Sequence, residues 1–305
     1  MLLLIKYTLL YGIVLMLVAL GGMFSEHSGV INIALEGIMV VGGLAGVLVT
    51  ASLPTTMAPA LIVLAAVVAA AVCGMLYSLL LAFASINLKA DQTIGGTALN
   101  MLATAIAMIL AKHFNGSTSA KISYTNKPFL FSIGELELSI FIPLGIVLLV
   151  VSYIVMYKTR FGLRLRACGE HPQAADSVGI NVYRMRYAGV LISGFLGGVG
   201  GLAYVIPSVQ TWNFEVGVAG TGFLALAVMI FGQWKPFNIF GAAMFFAVFK
   251  SLANIADSTV LAQLGWSSNI YNMMPFIASM VILAFTSKNS QAPKAEGIPY
   301  DKGSR

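Results

Sequence analysis

The sequence predicts an all-α fold, a polytopic transmembrane helical bundle of about nine spans, with eight and ten as the bounds. Two observations support this prediction. Of the 305 residues only 9% are charged and 59% are hydrophobic, whereas a soluble domain averages about 25% charged residues. Apolar runs that approach the roughly 20 residues needed to cross a bilayer fill most of the chain. The composition therefore excludes an ordinary soluble domain.

Nine apolar segments follow one another along the chain with polar gaps between them. The first has no basic leader and no clear small-residue cleavage site, so we expect it to stay as a permanent helix. The third is long enough to tilt or to continue into the cytoplasm, and the seventh is short. One transmembrane domain, 1–286, then precedes a C-terminal tail, 287–305. The segments cover approximately 4–24, 33–52, 58–86, 95–113, 139–157, 187–207, 217–232, 237–254 and 269–286.

The placement of Lys and Arg predicts the orientation of the bundle. The loop 158–186 contains six basic residues and the tail 287–305 contains four. Because basic loops favour the cytoplasmic side, we expect both regions there, with the N-terminus and residues 114–138 outside. The net charge of +6 thus reflects orientation signals, and a nucleic-acid partner is not expected.

The residues that usually form metal, redox or catalytic sites show no pattern. Cys73 and Cys168 are too few and too far apart for a disulfide or metal framework. The three histidines are scattered, and no nucleophile lies beside a base. The glycines at 42–46 and 194–201 have the spacing of close helix packing, and no Gly-Lys-Ser/Thr ending suggests a phosphate loop. We predict neither a catalytic residue nor a bound metal.

The loop 158–186 contains a predicted short helix. Pro172 is suited to its first position and Gly179 to its end. Between them, Ala174 and Ala175 would present one smooth face that can enter a groove of another protein. The alternative is an ordinary charged connecting loop.

Several segments carry a resemblance to a known family. Glu170, Ala174, Ala175 and Gly179 resemble the loop of ABC-importer permeases that forms the cytoplasmic coupling helix and docks on the ATPase. RFGLRLRACGEHPQAADSVGIN resembles the permeases for nucleosides, simple sugars and branched-chain amino acids. The segments that resemble the nucleoside subgroup are SGVINIALEGIMVVGG, GGTALNMLA, GTGFLALAVMIFGQWKPF and APKAEGIPYDKGSR.

The resemblance implies a non-catalytic subunit, the smaller of two different permeases in a bacterial plasma-membrane importer of nucleosides. Simple sugars or branched-chain amino acids are the alternative substrates. The implied partners are a second permease, an ABC ATPase that binds ATP and Mg, and a substrate-binding lipoprotein, with lipid around the bundle and no cofactor in this chain. The residues expected to couple to the ATPase are Glu170, Pro172, Ala174, Ala175 and Gly179.

Ionisable groups within apolar runs are costly and tend to face a cavity or a partner. Glu36 lies four residues after Asn32, which would place both on one helix face. Glu36 either faces the substrate, or braces a helix start near the cytoplasmic surface, or couples to protons. The proton role belongs to a rival hypothesis, an ion-coupled secondary transporter.

A second polar set is Thr97, Asn100 and Thr104, whose spacing forms one stripe on an apolar helix. The stripe is predicted to line the substrate pathway, because an amide and hydroxyls suit a ribose or the edge of a base. The alternative is hydrogen bonding between helices. Lys250 is expected to snorkel outward, and Asn254 and Asp257 to lie at the outer surface.

Overall fold

The computed structural model describes residues 2–54, 56–116, 119–134, 136–255, 268–286 and 291–303. All nine predicted apolar segments contain helix, and two further short helices lie in the loop after the fifth. The helices are α1 (Leu2–Glu26), α2 (Leu35–Ser52), α3 (Pro59–Ala82), α4 (Gln92–Asn115), α5 (Phe141–Lys158), α6 (Arg160–Glu170), α7 (Pro172–Ser177), α8 (Val182–Val205), α9 (Thr221–Phe231), α10 (Pro236–Ile255) and α11 (Ser268–Thr286).

Seven of the described helices are long and apolar enough to cross a membrane: α1, α2, α3 with its π-helical extension to Asn87, α4, α5, α8 and α10. The helix α9 has 11 residues, about 16 Å at 1.5 Å per residue, roughly half the hydrocarbon thickness. The multi-pass helical architecture is confirmed. Length and apolar composition identify seven candidate spans among the described residues, whereas nine were expected.

The helices α1 and α8 form the buried centre of the bundle, and the glycines of α8 allow close approach. A Cβ atom added to Gly42 of α2 would lie 2.6 Å from the carbonyl oxygen of Gly198. One added to Gly200 would lie 2.5 Å from the Val18 side chain of α1. Since no larger residue fits there, the predicted packing role of these glycines is confirmed.

Two short antiparallel strand pairs lie together at one end of the bundle, which we call the strand face. There β1 (Lys121–Ser123) pairs with β4 (Thr211–Asn213), and β2 (Leu130–Ile133) pairs with β3 (Leu136–Ser139). Lys6 at the start of α1 forms an ion pair of 3.1 Å with Glu137 in β3. The start of α1 and both strand pairs therefore share this face.

The opposite end, which we call the tail face, carries α6, α7 and the C-terminal residues 291–303. The tail bonds to several loops there: the Gln291 N–H donates to the Gln233 side chain at 2.9 Å, and Lys89 pairs with Asp301 at 3.0 Å. The loop 158–186 and the tail thus lie on the same side of the bundle, as the sequence predicted.

The chain between α1 and α2 enters the bundle from the tail face. Asn32 donates a hydrogen bond of 2.8 Å to Ser193, and Ser193 lies eleven residues past the start of α8, about 16 Å along its axis. The helix α2 therefore begins in the interior of the bundle. The short helix α9 begins beside it, so two helix N-termini meet inside the bundle.

Candidate transport site and coupling region

Glu36 connects the two helix starts inside the bundle. It lies in the first turn of α2, and its Oε1 accepts a 2.8 Å hydrogen bond from the Gly220 N–H, while its Oε2 accepts one of 2.6 Å from the Gly222 N–H. Both donors lie at the start of α9, where free N–H groups and the helix dipole favour a negative charge. Gly220 is left-handed, with φ +74°, a conformation that glycine adopts without strain.

These hydrogen bonds fit a bracing role for Glu36, in a different place from the one expected, and its role in the substrate pathway stays a prediction. A Cβ added to Gly197, fifteen residues into α8, would lie 2.9 Å from Ile38, two residues after Glu36. The expected position near the membrane surface is therefore wrong, because the chain before α2 descends into the bundle.

Asn32 is fully buried close to this junction. Its Nδ2 donates to Ser193, while its Oδ1 accepts no hydrogen bond within the described ranges. The residue precedes α2 rather than lying on it, so the prediction of one helix face shared with Glu36 is wrong. Asn32 and Glu36 are nevertheless brought into the same interior region.

The polar set on α4 is engaged in helix bonding. Asn100 accepts a 2.7 Å bond from the Gly37 N–H and donates one of 2.9 Å to the Ile33 carbonyl. Thr97 donates to Thr93 within its own helix at 2.8 Å, and Thr104 donates to Asn100 at 3.2 Å. Asn100 therefore fixes the start of α2, as expected from the alternative in which this set forms hydrogen bonds between helices. As a part of the pathway, the set of three remains a prediction.

A cavity of about 320 Å³ lies next to the start of α9, in the half of the bundle nearer the strand face. This volume is at the low end of the range for small-molecule sites. Lys250 is half-buried and faces this cavity, so the expectation that it only snorkels outward is wrong. Asp257 lies outside the described residues. The cavity is lined by Tyr11, Tyr204, Ala219, Lys250, Asn254 and Phe276.

The predicted short helix in the loop on the tail face is confirmed as α7. Pro172 occupies its first turn. At its end Gly179 is left-handed, with φ +83°, and donates to the Asp176 carbonyl at 2.9 Å, while the Ile180 N–H donates to the Ala175 carbonyl at 3.0 Å. These two bonds form a Schellman motif, which requires a residue that tolerates positive φ.

Ala174 and Ala175 point in different directions. Ala174 is exposed, whereas Ala175 is 4% exposed and packs in a small core with Cys168, Val182 and Tyr300. The prediction that both alanines form one docking face is therefore wrong, because the C-terminal tail covers Ala175. Glu170 is exposed and Pro172 is buried, so the exposed surface of α7 centres on Ala174.

The C-terminal tail fixes this region to the bundle. The Ala295 N–H donates to the Gly169 carbonyl at 2.8 Å, and the buried Arg186 guanidinium donates to the Ile298 carbonyl at 3.0 Å. The Gly297 N–H donates to the Gly29 carbonyl at 3.3 Å, on the segment that leads to Asn32. The tail thus links α6 to the segment that precedes α2. Sequence reasoning missed this role, because the tail is short and polar.

Two ionisable groups near the tail have perturbed pKa values. Burial raises the pKa of Glu296 to about 7. Burial, assisted by the nearby Arg166 charge, lowers the pKa of His27 to about 4 despite its bond to the Trp234 carbonyl. His27 is therefore neutral at pH 7.

The described parts of the chain contain no group of three or more His, Cys, Asp or Glu side chains arranged to hold a metal. Cys73 and Cys168 are free thiols, and burial raises the pKa of Cys168 to about 11. Such a thiol is unreactive at neutral pH. The site is thus built from helix ends, a cavity and an exposed short helix.

Comparison with known proteins identifies relatives over nearly the whole chain. A family model described as the permease component of branched-chain amino acid transport systems matches residues 4–284. The chain is 40% identical to the guanosine ABC transporter permease protein NupQ of Bacillus subtilis, over 98% of this chain and 96% of that protein. It is also 40% identical to the nucleoside ABC transporter permease protein NupC of Lactococcus lactis, over 96% of this chain and 95% of that protein.

A more distant relative comes from the same Lactococcus lactis. The nucleoside ABC transporter permease protein NupB is 26% identical over 172 residues, 55% of this chain and 46% of that protein. No solved structure matches the chain.

Proposed function

The chain belongs to the family of permease components of branched-chain amino acid transport systems, and on this premise we propose that it imports nucleosides as the smaller of two permeases in an ATP-driven importer. Members of this family are multi-pass membrane proteins that transport without catalysing a reaction. The observation that carries the nucleoside assignment is the 40% identity, over nearly full length, to two permeases named for guanosine and nucleoside ABC transporters.

The proposed partners occupy opposite ends of the bundle. The tail face is cytoplasmic and receives the ABC ATPase, which binds ATP and Mg, while this chain binds neither. The strand face is external and receives the substrate-binding lipoprotein. Similarity to both NupC and NupB of Lactococcus lactis supports pairing with a second, different permease.

Coupling follows a continuous set of contacts. Closure of the ATPase moves α7, which is seated through the exposed surface around Ala174. The tail transmits this motion through the Gly169 and Gly29 carbonyls to the segment before α2. Glu36 then moves with α2 and carries the start of α9, so that the bundle opens alternately to the two sides. Glu170 and Gly179 flank α7 and set its position in a groove of the ATPase.

Orientation can be tested with one added cysteine at a time in a variant that has Cys73 replaced by Ser and keeps the buried Cys168. Ser123 on the strand face and Gln173 on the tail face are both exposed. We expect Ser123→Cys to react with a membrane-impermeant maleimide in intact cells, and Gln173→Cys to react only after permeabilisation. Equal labelling of the two in intact cells would contradict the orientation.

The substrate class can be tested by competition in cells that express the complete importer. Uptake of tritiated guanosine should be suppressed by excess unlabelled nucleosides and unaffected by excess ribose or leucine. Competition by ribose or by leucine instead would assign the chain to sugars or to branched-chain amino acids.

The rival hypothesis of a secondary transporter predicts a different dependence on partners. Uptake should disappear when the ATPase is deleted, whereas a secondary transporter would retain it. The engagement of both Glu36 carboxylate oxygens by α9 favours the ATP-driven alternative, because both oxygens already accept structural hydrogen bonds and Glu36 is fixed between two helices.

A further inference from the structure

Three aromatic side chains line the cavity beside the start of α9. Two of them form a buried wall, and the third is more accessible. The Tyr11 and Tyr204 rings lie 6.1 Å apart and are each 7% exposed, so they form a fixed wall. Phe276 on α11 is less buried, and its ring would lie 3.5 Å from a Cβ added to Gly220. Phe276 therefore borders the glycine at the start of α9, whose N–H is held by Glu36.

The amine and the amide of the cavity come from one helix. Lys250 and Asn254 are four residues apart on α10, hence on the same face, and both line the cavity. Among the described residues, no hydrogen bond or ion pair within 4.0 Å engages Lys250; its electrostatic partner is Glu36. Because Glu36 is already bonded to α9, the ammonium donors of Lys250 are available to a ligand.

These groups match the chemistry of a nucleoside. A base has a flat π-face that stacks on aromatic side chains, and many bases carry carbonyl oxygens, for which a lysine offers donors and no acceptor. An amide such as that of Asn254 both donates and accepts, which suits ribose hydroxyls. The described lining includes no carboxylate for the ammonium group of an amino acid.

We propose that this cavity is where the chain contacts its nucleoside, with Phe276 stacking on the base and Lys250 donating to a base carbonyl oxygen. The proposal rests on the proposed function and assigns that function a site. It places the nucleoside directly against the start of α9. Movement of α9 through Glu36 would therefore act on the bound substrate.

A larger cavity of about 560 Å³ provides a contrast. It lies at the strand face, between the connection from α2 to α3 and the loop before β2, and its described lining includes Thr50, Lys127 and Gln210 but no aromatic side chain. Without a stacking surface it does not fit a base. Its exposed lysine, Lys127, supplies a matched control for Lys250.

The test is equilibrium binding of tritiated guanosine and adenosine to the purified complex of both permeases and the ATPase. The lipoprotein is omitted so that its own affinity does not mask that of the cavity. Phe276→Leu should weaken guanosine binding about tenfold, as expected for the loss of one base–aromatic stack, whereas Phe276→Tyr, which keeps the ring, should stay within about twofold.

Lys250 is tested by selectivity between bases. Lys250→Met should weaken binding of guanosine, which has a carbonyl at C6, by about tenfold, the order expected for a lost hydrogen bond to a charged donor. Binding of adenosine, which has an amino group there, should change by less than about twofold. Lys127→Met should change neither. Basal ATP hydrolysis of each complex reports correct assembly.

The outcomes separate the site from the function. If the wild-type importer takes up no nucleoside, the proposed function fails. If it takes up guanosine but the complex binds none, or Phe276→Leu and Lys250→Met bind guanosine like the wild type, the site is elsewhere and the function stands. Equal weakening of guanosine and adenosine by Lys250→Met would overturn the base contact.

Discussion

Replacing Glu36 by alanine is expected to abolish nucleoside uptake and to lower the stability of the bundle. The change removes the acceptor for the Gly220 and Gly222 N–H groups, and leaving a buried donor unsatisfied costs about 1–3 kcal/mol for each group. The start of α9 would lose its fixed position beside α2. The measurements are guanosine uptake in cells and the thermal unfolding midpoint of the purified protein in detergent.

Asp91→Ala is the matched control for this prediction. Asp91 also accepts two backbone N–H bonds, of 2.8 and 2.9 Å, at the start of α4, but it is exposed on the tail face. Loss of such a surface cap costs about 1 kcal/mol, so uptake should be nearly normal. Equal effects of the two substitutions would show that Glu36 is only a helix cap.

The second large effect is expected from Ala174→Arg. The variant should enter the membrane and assemble with the second permease normally but lose nucleoside-stimulated ATP hydrolysis and uptake together. Ala174 is exposed on α7, and a long charged side chain there overpacks a close contact, which costs roughly 1–3 kcal/mol. A loss of 3 kcal/mol weakens docking by about two decades, because 1.4 kcal/mol is a factor of ten.

Two further substitutions show whether the effect is one of docking. Ala175→Arg places the same side chain one residue later, in the core with Cys168 and Tyr300, and should lower the amount of folded protein. Ser123→Arg, exposed on the strand face at the opposite end of the bundle, should leave assembly with the ATPase unchanged. Normal uptake by Ala174→Arg, with the protein confirmed in the membrane, would remove the coupling role of α7.

Much of the architecture follows from local sequence rules. The apolar runs gave nine segments that all contain helix, and Pro172 and Gly179 marked the two ends of α7, because proline at a helix start and glycine at a helix end act through their own backbone. The grouping of the basic loop with the tail on one face also followed from charge placement alone.

The parts that could not be predicted depend on tertiary contacts. Hydropathy shows a segment that starts near residue 33 but not that it starts in the bundle interior, which the bond from Asn32 to Ser193 reveals. The inward direction of Ala175 depends on Tyr300, 125 residues away in sequence. The sequence predicts a snorkelling side chain for Lys250, because the cavity that it faces is assembled from four other parts of the chain.

The central claim is that this chain moves nucleosides only as part of an ATP-driven assembly. Its most direct test is accumulation of tritiated guanosine by proteoliposomes that contain both permeases, the ATPase and the lipoprotein. We predict accumulation that requires ATP on the ATPase side and stops when this chain is omitted. Accumulation driven by an ion gradient in the absence of ATP, or undiminished without this chain, would contradict the account.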